Sequence, residues 1–167
     1  MANFVDPVLG KLLLVGSRYV AVLQRIGLKP AVVRLATRTH VALHRRNGGR
    51  LGGNPGAPSL LLTTTGRKSG EARTVAVYYL PDGERQVLVA SYGGDDKHPA
   101  WYLNLTADPS TTVQIGSETR RVRARDADAA ERSQLWPRLT TNWPAYDDYQ
   151  ARTERVLPVV ILEGAKS

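Results

Sequence analysis

Residues 4 to 28 are apolar except for a few polar positions, among which Lys11, Arg18 and Arg25 recur every seven residues. On a helix that spacing drifts only about 20° per step, so the three cations form one stripe. The opposite face carries Leu12, Leu13, Val15, Val20, Val22, Leu23 and Ile26, and an amphipathic basic helix is predicted. A second helical stretch starts at Pro30 and runs to about Asn47, with Val32, Leu35, Ala36, His40 and Leu43 inward and Gly48 and Gly49 ending it. A Gly- and Pro-rich loop leads to Pro58, after which the period changes. Strands are predicted near 60–65, 73–80 and 86–91, the last two joined by a Pro81-Asp82-Gly83 turn. Pro99 suits the first turn of a short helix to about Ala107. Strands near 111–115 and 119–125 pair across Gly116-Ser117. Asp128 and Glu131 have capping-box spacing for a helix over 129–140 that Pro137 bends. An aromatic-rich piece, 143–150, precedes a last strand from Val156 to Glu163.

Six strands joined mostly by short turns exclude an all-parallel doubly wound sheet, because parallel neighbours need long crossovers. The pattern predicts a mainly β, α+β architecture: a small antiparallel barrel flanked by helices. The organisation expected is an amphipathic helix over 1–30 and a single domain over 31–167.

The 167-residue chain has no cysteine, which excludes disulfides, thiolate chemistry and Cys-ligated metal centres. His40 and His44 are four apart, but no Glu of a His-Glu-x-x-His motif and no third ligand accompany them, so no metal is expected. The net charge of +8 resides in the first fifty residues, which hold nine Lys or Arg against the single acid Asp6. That placement suits a helix lying on an anionic membrane or packed on its own domain. It also raises nucleic-acid binding, but no helix-turn-helix or RNA-recognition signature appears, and no nucleic-acid partner is expected. Three cations interrupt the N-terminal stretch and no secretory signal pattern is present, so a cytoplasmic protein is expected, with peripheral contact at the inner face of the membrane through residues 1–28.

Residues 60–79 place Gly66-Arg67-Lys68-Ser69-Gly70 between two β-branched runs, with Arg73 just inside the return strand. The spacing predicts a hairpin whose tip gathers two guanidinium groups and an ammonium beside unpaired backbone N–H groups, a clamp for an anion such as phosphate. A tip of solvated charges has the same sequence. The turn is not a Walker loop, since it lacks that motif's glycine spacing and enters a strand.

Three segments stand in order: Thr-Thr-Thr-Gly-Arg-Lys-Ser-Gly at 63–70, Ala-Ser-Tyr-Gly-Gly-Asp-Asp-Lys-His-Pro-Ala-Trp-Tyr-Leu-Asn-Leu at 90–105, and Trp-Pro-Ala-Tyr-Asp-Asp-Tyr-Gln-Ala-Arg-Thr at 143–153. With the Val-Leu-Pro-Val-Val-Ile-Leu-Glu ending, this chain resembles the deazaflavin-dependent nitroreductase family over about residues 35–164. The resemblance implies a six-stranded split β-barrel like that of flavin-mononucleotide-binding proteins. It implies an oxidoreductase that passes a hydride from the reduced 5-deazaflavin cofactor F420 to a quinone, nitroaromatic or activated enone. Flavin mononucleotide in place of F420, or a carrier that binds the cofactor without turnover, remain the alternatives.

The resemblance further implies that Gly66, Arg67, Lys68, Ser69 and Arg73 meet the cofactor's anionic tail. Ala90, Ser91, Gly93, Gly94, His98, Ala100, Trp101 and Asn104 would border the deazaflavin, and His98 would either bond a phosphate or cap the following helix. Tyr78, Trp143, Tyr146 and Tyr149 would wall the acceptor site. Trp143 stands where relatives often show Tyr, which removes a hydroxyl and adds apolar area. Ser91, Tyr146 or Tyr149 would hydrogen-bond the developing oxyanion. A monomer is slightly favoured over a homodimer.

Overall fold

The computed structural model describes residues 39, 41, 42, 44–46 and 58–164. The predicted helix over 4–28 and most of that over 30–47 lie outside the described residues. Those described between 39 and 46 are helical, with Val41 and His44 buried and His44 Nε2 3.0 Å from Ser59 Oγ.

Seven strands form one antiparallel sheet: β1 (Ser59–Thr65), β2 (Ala72–Tyr78), β3 (Leu80–Asp82), β4 (Arg85–Val89), β5 (Ser110–Ile115), β6 (Glu118–Asp126) and β7 (Val159–Gly164). Their order is β2-β1-β5-β6-β7-β4-β3. The two edge strands, β2 and β3, follow one another in the chain with only Tyr79 between them, so the sheet must curl until its edges approach. This is the expected barrel with one strand more. The run read as 73–80 is divided because the chain changes partner at Tyr79: up to Tyr78 it pairs with β1, a register that the Tyr79 N–H to Pro58 carbonyl bond (3.0 Å) continues, and from Leu80 it pairs with β4. The turn after it is also shifted. Pro81 and Asp82 remain in β3 as partners of Gln86 and Arg85, and Gly83, at φ 61°, makes the reversal with Glu84.

Alternation along the strands sorts two layers of core. Leu60, Leu62, Leu88, Val113, Val122, Val160 and Leu162 fill the interior of the curl, and the opposite face of β3, β4 and β7 presents Leu80, Val87, Val89, Val159 and Ile161 to helices. Helix α1 (Ala100–Ala107) contributes Leu105, Trp101 and Tyr102 to the interior cluster. Helices α2 (Ala129–Asn142) and α3 (Ala145–Ala151) cover the outer cluster with Leu135, Leu139, Tyr146 and Tyr149. The capping box of Asp128 and Glu131 is formed, and α2 continues through Pro137. Arg125 bridges Glu131 (2.6 Å) and Glu163 (2.8 Å), and Arg138 reaches Asp82 (2.7 Å), fastening α2 to β6, β7 and β3.

The last strand begins at Val159, three residues later than expected. Pro158 has no N–H for the ladder, and the segment before it is used elsewhere: Leu157 N–H donates to Gln150 Oε1 (2.9 Å) and its carbonyl accepts from Arg132 Nη1 (2.7 Å).

Candidate active site

The Gly66–Gly70 turn is closed by its own backbone. Gly66 N–H donates to the Glu71 carbonyl (2.8 Å), Ser69 and Gly70 N–H donate to the Gly66 carbonyl (3.0 and 2.7 Å), and Glu71 N–H reaches Ser69 Oγ (3.3 Å). The Arg67 N–H donates to Asn104 Oδ1 (3.2 Å). The backbone donors expected to stand ready for an anion are therefore mostly used within the protein, and the side chains remain. Arg67 and Lys68 are exposed, and among the described residues neither pairs with a carboxylate. Arg73 is committed in part, with Nη2 2.7 Å from Glu71 Oε2. Of the two glycines only Gly70 adopts a positive φ, 69°. Gly66 is needed for closeness, since a Cβ there would lie 2.8 Å from Ser69 Oγ and 3.1 Å from the Glu71 carbonyl oxygen.

Asn104 ties this turn to the barrel. Only 5% exposed, it donates from Nδ2 to Thr64 Oγ1 (3.0 Å) while its Oδ1 receives Arg67 N–H, so one amide sets the turn's angle to β1. Asn104→Leu removes both bonds and strands Thr64. We expect it to lower the unfolding free energy by about 1–3 kcal/mol. A urea midpoint matching that of the parent protein would contradict this role.

The 90–98 segment carries an unusual backbone. Tyr92, Gly93 and Gly94 are all left-handed, at φ 51°, 69° and 80°. Glycine accepts this freely, whereas Tyr92 does so at a cost of about 1–2 kcal/mol. Gly94 packs directly on α3, and a Cβ there would fall 2.8 Å from the Tyr149 carbonyl oxygen. Thr153 Oγ1 donates to Asp96 Oδ1 (2.8 Å) just beyond α3. Thus all three segments that carry the resemblance adjoin: 63–70 meets 90–105 at Arg67 and Asn104, and 90–105 meets 143–153 at Gly94 and Tyr149.

The expected wall residues also gather. Tyr78 and Trp143 stack with ring centroids 4.7 Å apart, Trp143 lies 6.5 Å from Tyr146, and Tyr146 meets Tyr149 edge-on at 6.2 Å. Burial first, and the neighbouring Tyr149 second, raise the Tyr78 hydroxyl above its ordinary value. Tyr146 is raised far more strongly, chiefly by burial, so that its hydroxyl keeps its proton and is able to donate it in a hydrogen bond.

Of the other predicted residues, Ala90 is fully buried, Ser91 is partly buried and Ala100 is exposed. Trp101 packs against the interior cluster and edge-on to Tyr102 (6.2 Å, 88°). His98 lies 4.9 Å from the Tyr102 ring, and the Tyr102 hydroxyl, pushed up to about 12 mainly by burial, donates to Asp126 Oδ2 (2.8 Å). Among the described residues no group of His, Cys, Asp or Glu is placed to hold a metal ion.

One residue absent from the sequence reading stands at the junction. Arg155 sends Nε to the Asp95 carbonyl (2.8 Å), Nη2 to the Ser91 carbonyl (2.8 Å), both Nη atoms to the Ala90 carbonyl (3.3 Å) and Nη1 to His98 Nδ1 (3.3 Å). In sequence it is a charge before an apolar run, indistinguishable from a strand-edge residue.

Residues 36–164 match the model of the family described as F420H(2)-dependent quinone reductase. An F420H(2)-dependent quinone reductase of Mycobacterium tuberculosis is 41% identical over 133 residues, covering 75% of this chain and 87% of the relative. A solved F420-H2 dependent reductase, FDR-A, is 40% identical with a TM-score of 0.59, covering 64% of this chain and 94% of its own. Another solved structure, described as a domain-swapped dimer, is 32% identical with a TM-score of 0.62 and covers 79% of this chain and 99% of its own. The expected leaning toward a monomer finds no support in that relative.

Proposed function

The chain belongs to the F420H(2)-dependent quinone reductase family, an oxidoreductase family, and on that premise we propose that its own site reduces a quinone by hydride transfer, using the residues assembled at the junction of the three segments. The observation that carries this reading is their adjacency: a cationic turn, a left-handed glycine loop and a four-ring aromatic cluster meet along one side of the barrel. When bound, the cofactor supplies a hydride from its deazaflavin ring. The donor set suits it, because Arg67 and Lys68, exposed and without a carboxylate partner among the described residues, match an anionic tail of phosphate and carboxylates.

Arg67 and Lys68 bind the tail, and Asn104 holds their turn at its angle. Gly93, which is not fully buried, would leave the backbone bare for a flat ring, while Gly94 lets the loop seat directly on α3. The Tyr78–Trp143 stack and Tyr149 would exclude water from a bound acceptor and help to orient it for hydride transfer. A carbonyl that accepts hydride becomes an oxyanion, and a hydroxyl hydrogen bond to it strengthens as charge develops. Ser91, Tyr149 and Tyr146, whose burial favours its protonated form, are the donors for this role, with the final proton drawn from solvent.

Steady-state oxidation of reduced F420 by a soluble quinone, for Ser91→Ala and Tyr146→Phe, tests this assignment. The variant lacking the acting hydroxyl should lose about 10²-fold or more in kcat with F420 affinity retained. Parental rates in both, with cofactor bound, would remove these hydroxyls from the mechanism.

Nitroaromatics and activated enones are secondary acceptors in this reading. The cationic stripe of Lys11, Arg18 and Arg25 favours a peripheral contact with anionic lipid, which would place the barrel where lipophilic quinones emerge. No helix among the described residues is long and apolar enough to cross a membrane. Unchanged co-sedimentation with anionic liposomes after deletion of residues 1–28 would rule this contact out.

A further inference from the structure

Arg155 sits in the connection between α3 and β7, outside every motif that pointed to the site. Its guanidinium has five N–H bonds to give, and all five are placed: one on Asp95, two on Ala90, one on Ser91 and one on His98. Three of the four acceptors are backbone carbonyls of the segment that contains the left-handed turn. Ala90 and Ser91 lead into that turn and Asp95 follows it, so the guanidinium fixes both of its ends. Tyr92 in a left-handed conformation is a strained position, retained only where surroundings over-determine it. Arg155 supplies that determination from one side of the turn, and the Tyr149 backbone against Gly94 supplies it from another.

The fourth acceptor has a chemical consequence. A guanidinium can only donate, so His98 Nδ1 must accept, and the imidazole proton must reside on Nε2. Arg155 also makes no ion pair with a carboxylate among the described residues, Asp95 and Asp96 acting on it only at a distance.

We propose that Arg155 is the positioning residue of the cofactor-facing loop, holding the Tyr92–Gly94 turn through the carbonyls of Ala90, Ser91 and Asp95 and fixing His98 as the neutral Nε2–H tautomer. This assignment rests on the reading of 90–104 as the border of the cofactor. Lysine in its place keeps the charge but has three donors from one nitrogen, too few and too close together to span acceptors on both sides of the turn.

Acid pH tests the same contact. Burial and Arg155 lower the His98 imidazole below its ordinary 6.5, with Asp126 opposing, while the Tyr102 ring lies tilted against it at 4.9 Å. A folded value below the unfolded one means that the unfolded chain binds the proton first. Stability from this contact is therefore complete above about pH 6.5 and declines as pH falls toward the folded midpoint. Protonation would put an Nδ1–H against the guanidinium and break the contact.

The experiment is long-range nitrogen–proton NMR of the imidazoles in the full chain without cofactor, followed by F420 fluorescence titration of parent, Arg155→Lys and Arg155→Gln proteins between pH 5 and 8. We expect His98 to carry its proton on Nε2 in the parent and to titrate closer to 6.5 in Arg155→Gln. F420 affinity should fall about tenfold or more in Arg155→Lys, with kcat at saturating cofactor changed less. The parent should lose affinity on the acid side as His98 protonates, and that loss should disappear in Arg155→Gln, a signature that a purely structural role would not produce. A parent His98 protonated on Nδ1 overturns the inference, and needs no variant to fold. Parental F420 affinity in Arg155→Lys overturns the positioning role alone, whereas a parent chain that binds no F420 overturns the reading of the site and the positioning role together.

Discussion

An Arg67→Ala/Lys68→Ala protein should bind F420 about a hundredfold more weakly than its parent, while unfolding at nearly the same temperature. Hydrogen bonds to charged groups contribute about 1.5–3 kcal/mol each, and exposure at the turn places these two toward the lower end, so together they are worth about two decades of affinity. The turn itself survives the change, because its closing bonds run between backbone atoms of Gly66, Ser69, Gly70 and Glu71, and Asn104 grips the Arg67 backbone rather than its side chain. The parent's affinity should decline with added salt, and the residual affinity of the variant, which keeps Arg73, should decline less steeply. At saturating F420 the kcat should persist, since a tail contact contributes equally to ground and transition states. Equal dissociation constants for parent and variant would show that the turn is only a solvated tip.

The largest loss of stability is expected from Gly94→Ala. The residue stands at φ 80°, where a side chain costs about 1–2 kcal/mol, and its Cβ would lie 2.8 Å from the Tyr149 carbonyl oxygen and 3.0 Å from Tyr149 Cα. Those atoms belong to the backbone of α3 and cannot swing aside as the tip of a long side chain does. Either α3 or the 91–95 turn must retreat, adding about 1–3 kcal/mol of overpacking. For a domain of this size the sum lowers the melting temperature by about 5–15 °C. Because α3 carries Tyr146 and Tyr149, the enzyme that remains folded should also show a raised KM for the quinone. Gly70→Ala provides the control: its φ of 69° is similar, but nothing lies within 4 Å of the added Cβ, so only the conformational cost applies. Equal melting temperatures for the two variants would show that contact with α3 has no weight.

The paired strands were legible in the sequence because alternation and turn residues are local signals. β5 and β6 meet across Gly116-Ser117, and β1 and β2 across the cationic turn, much as their patterns predict. The division at Tyr79 was not legible, since it comes from a change of pairing partner, from β1 before it to β4 after it, and local alternation does not say which strand a residue pairs with. The same limit hid the one long-range bond of the cationic turn, the other occupied N–H groups being closed within the turn itself. The turn's glycines advertise a reversal, but the partner of Arg67 N–H is an amide on α1. Arg155 was illegible for a further reason. It acts on carbonyl oxygens, which every residue possesses, so no pattern of side chains marks its targets.

The place of β7 between β6 and β4 has a consequence for how the chain assembles during synthesis. Until Val159 leaves the ribosome, the earlier strands can form only two separate ribbons, β2-β1-β5-β6 and β4-β3, each with a bare edge where β7 belongs. The final strand inserts into the middle of the sheet rather than adding to its border, and the nascent polypeptide carries two adhesive edges until that late closure.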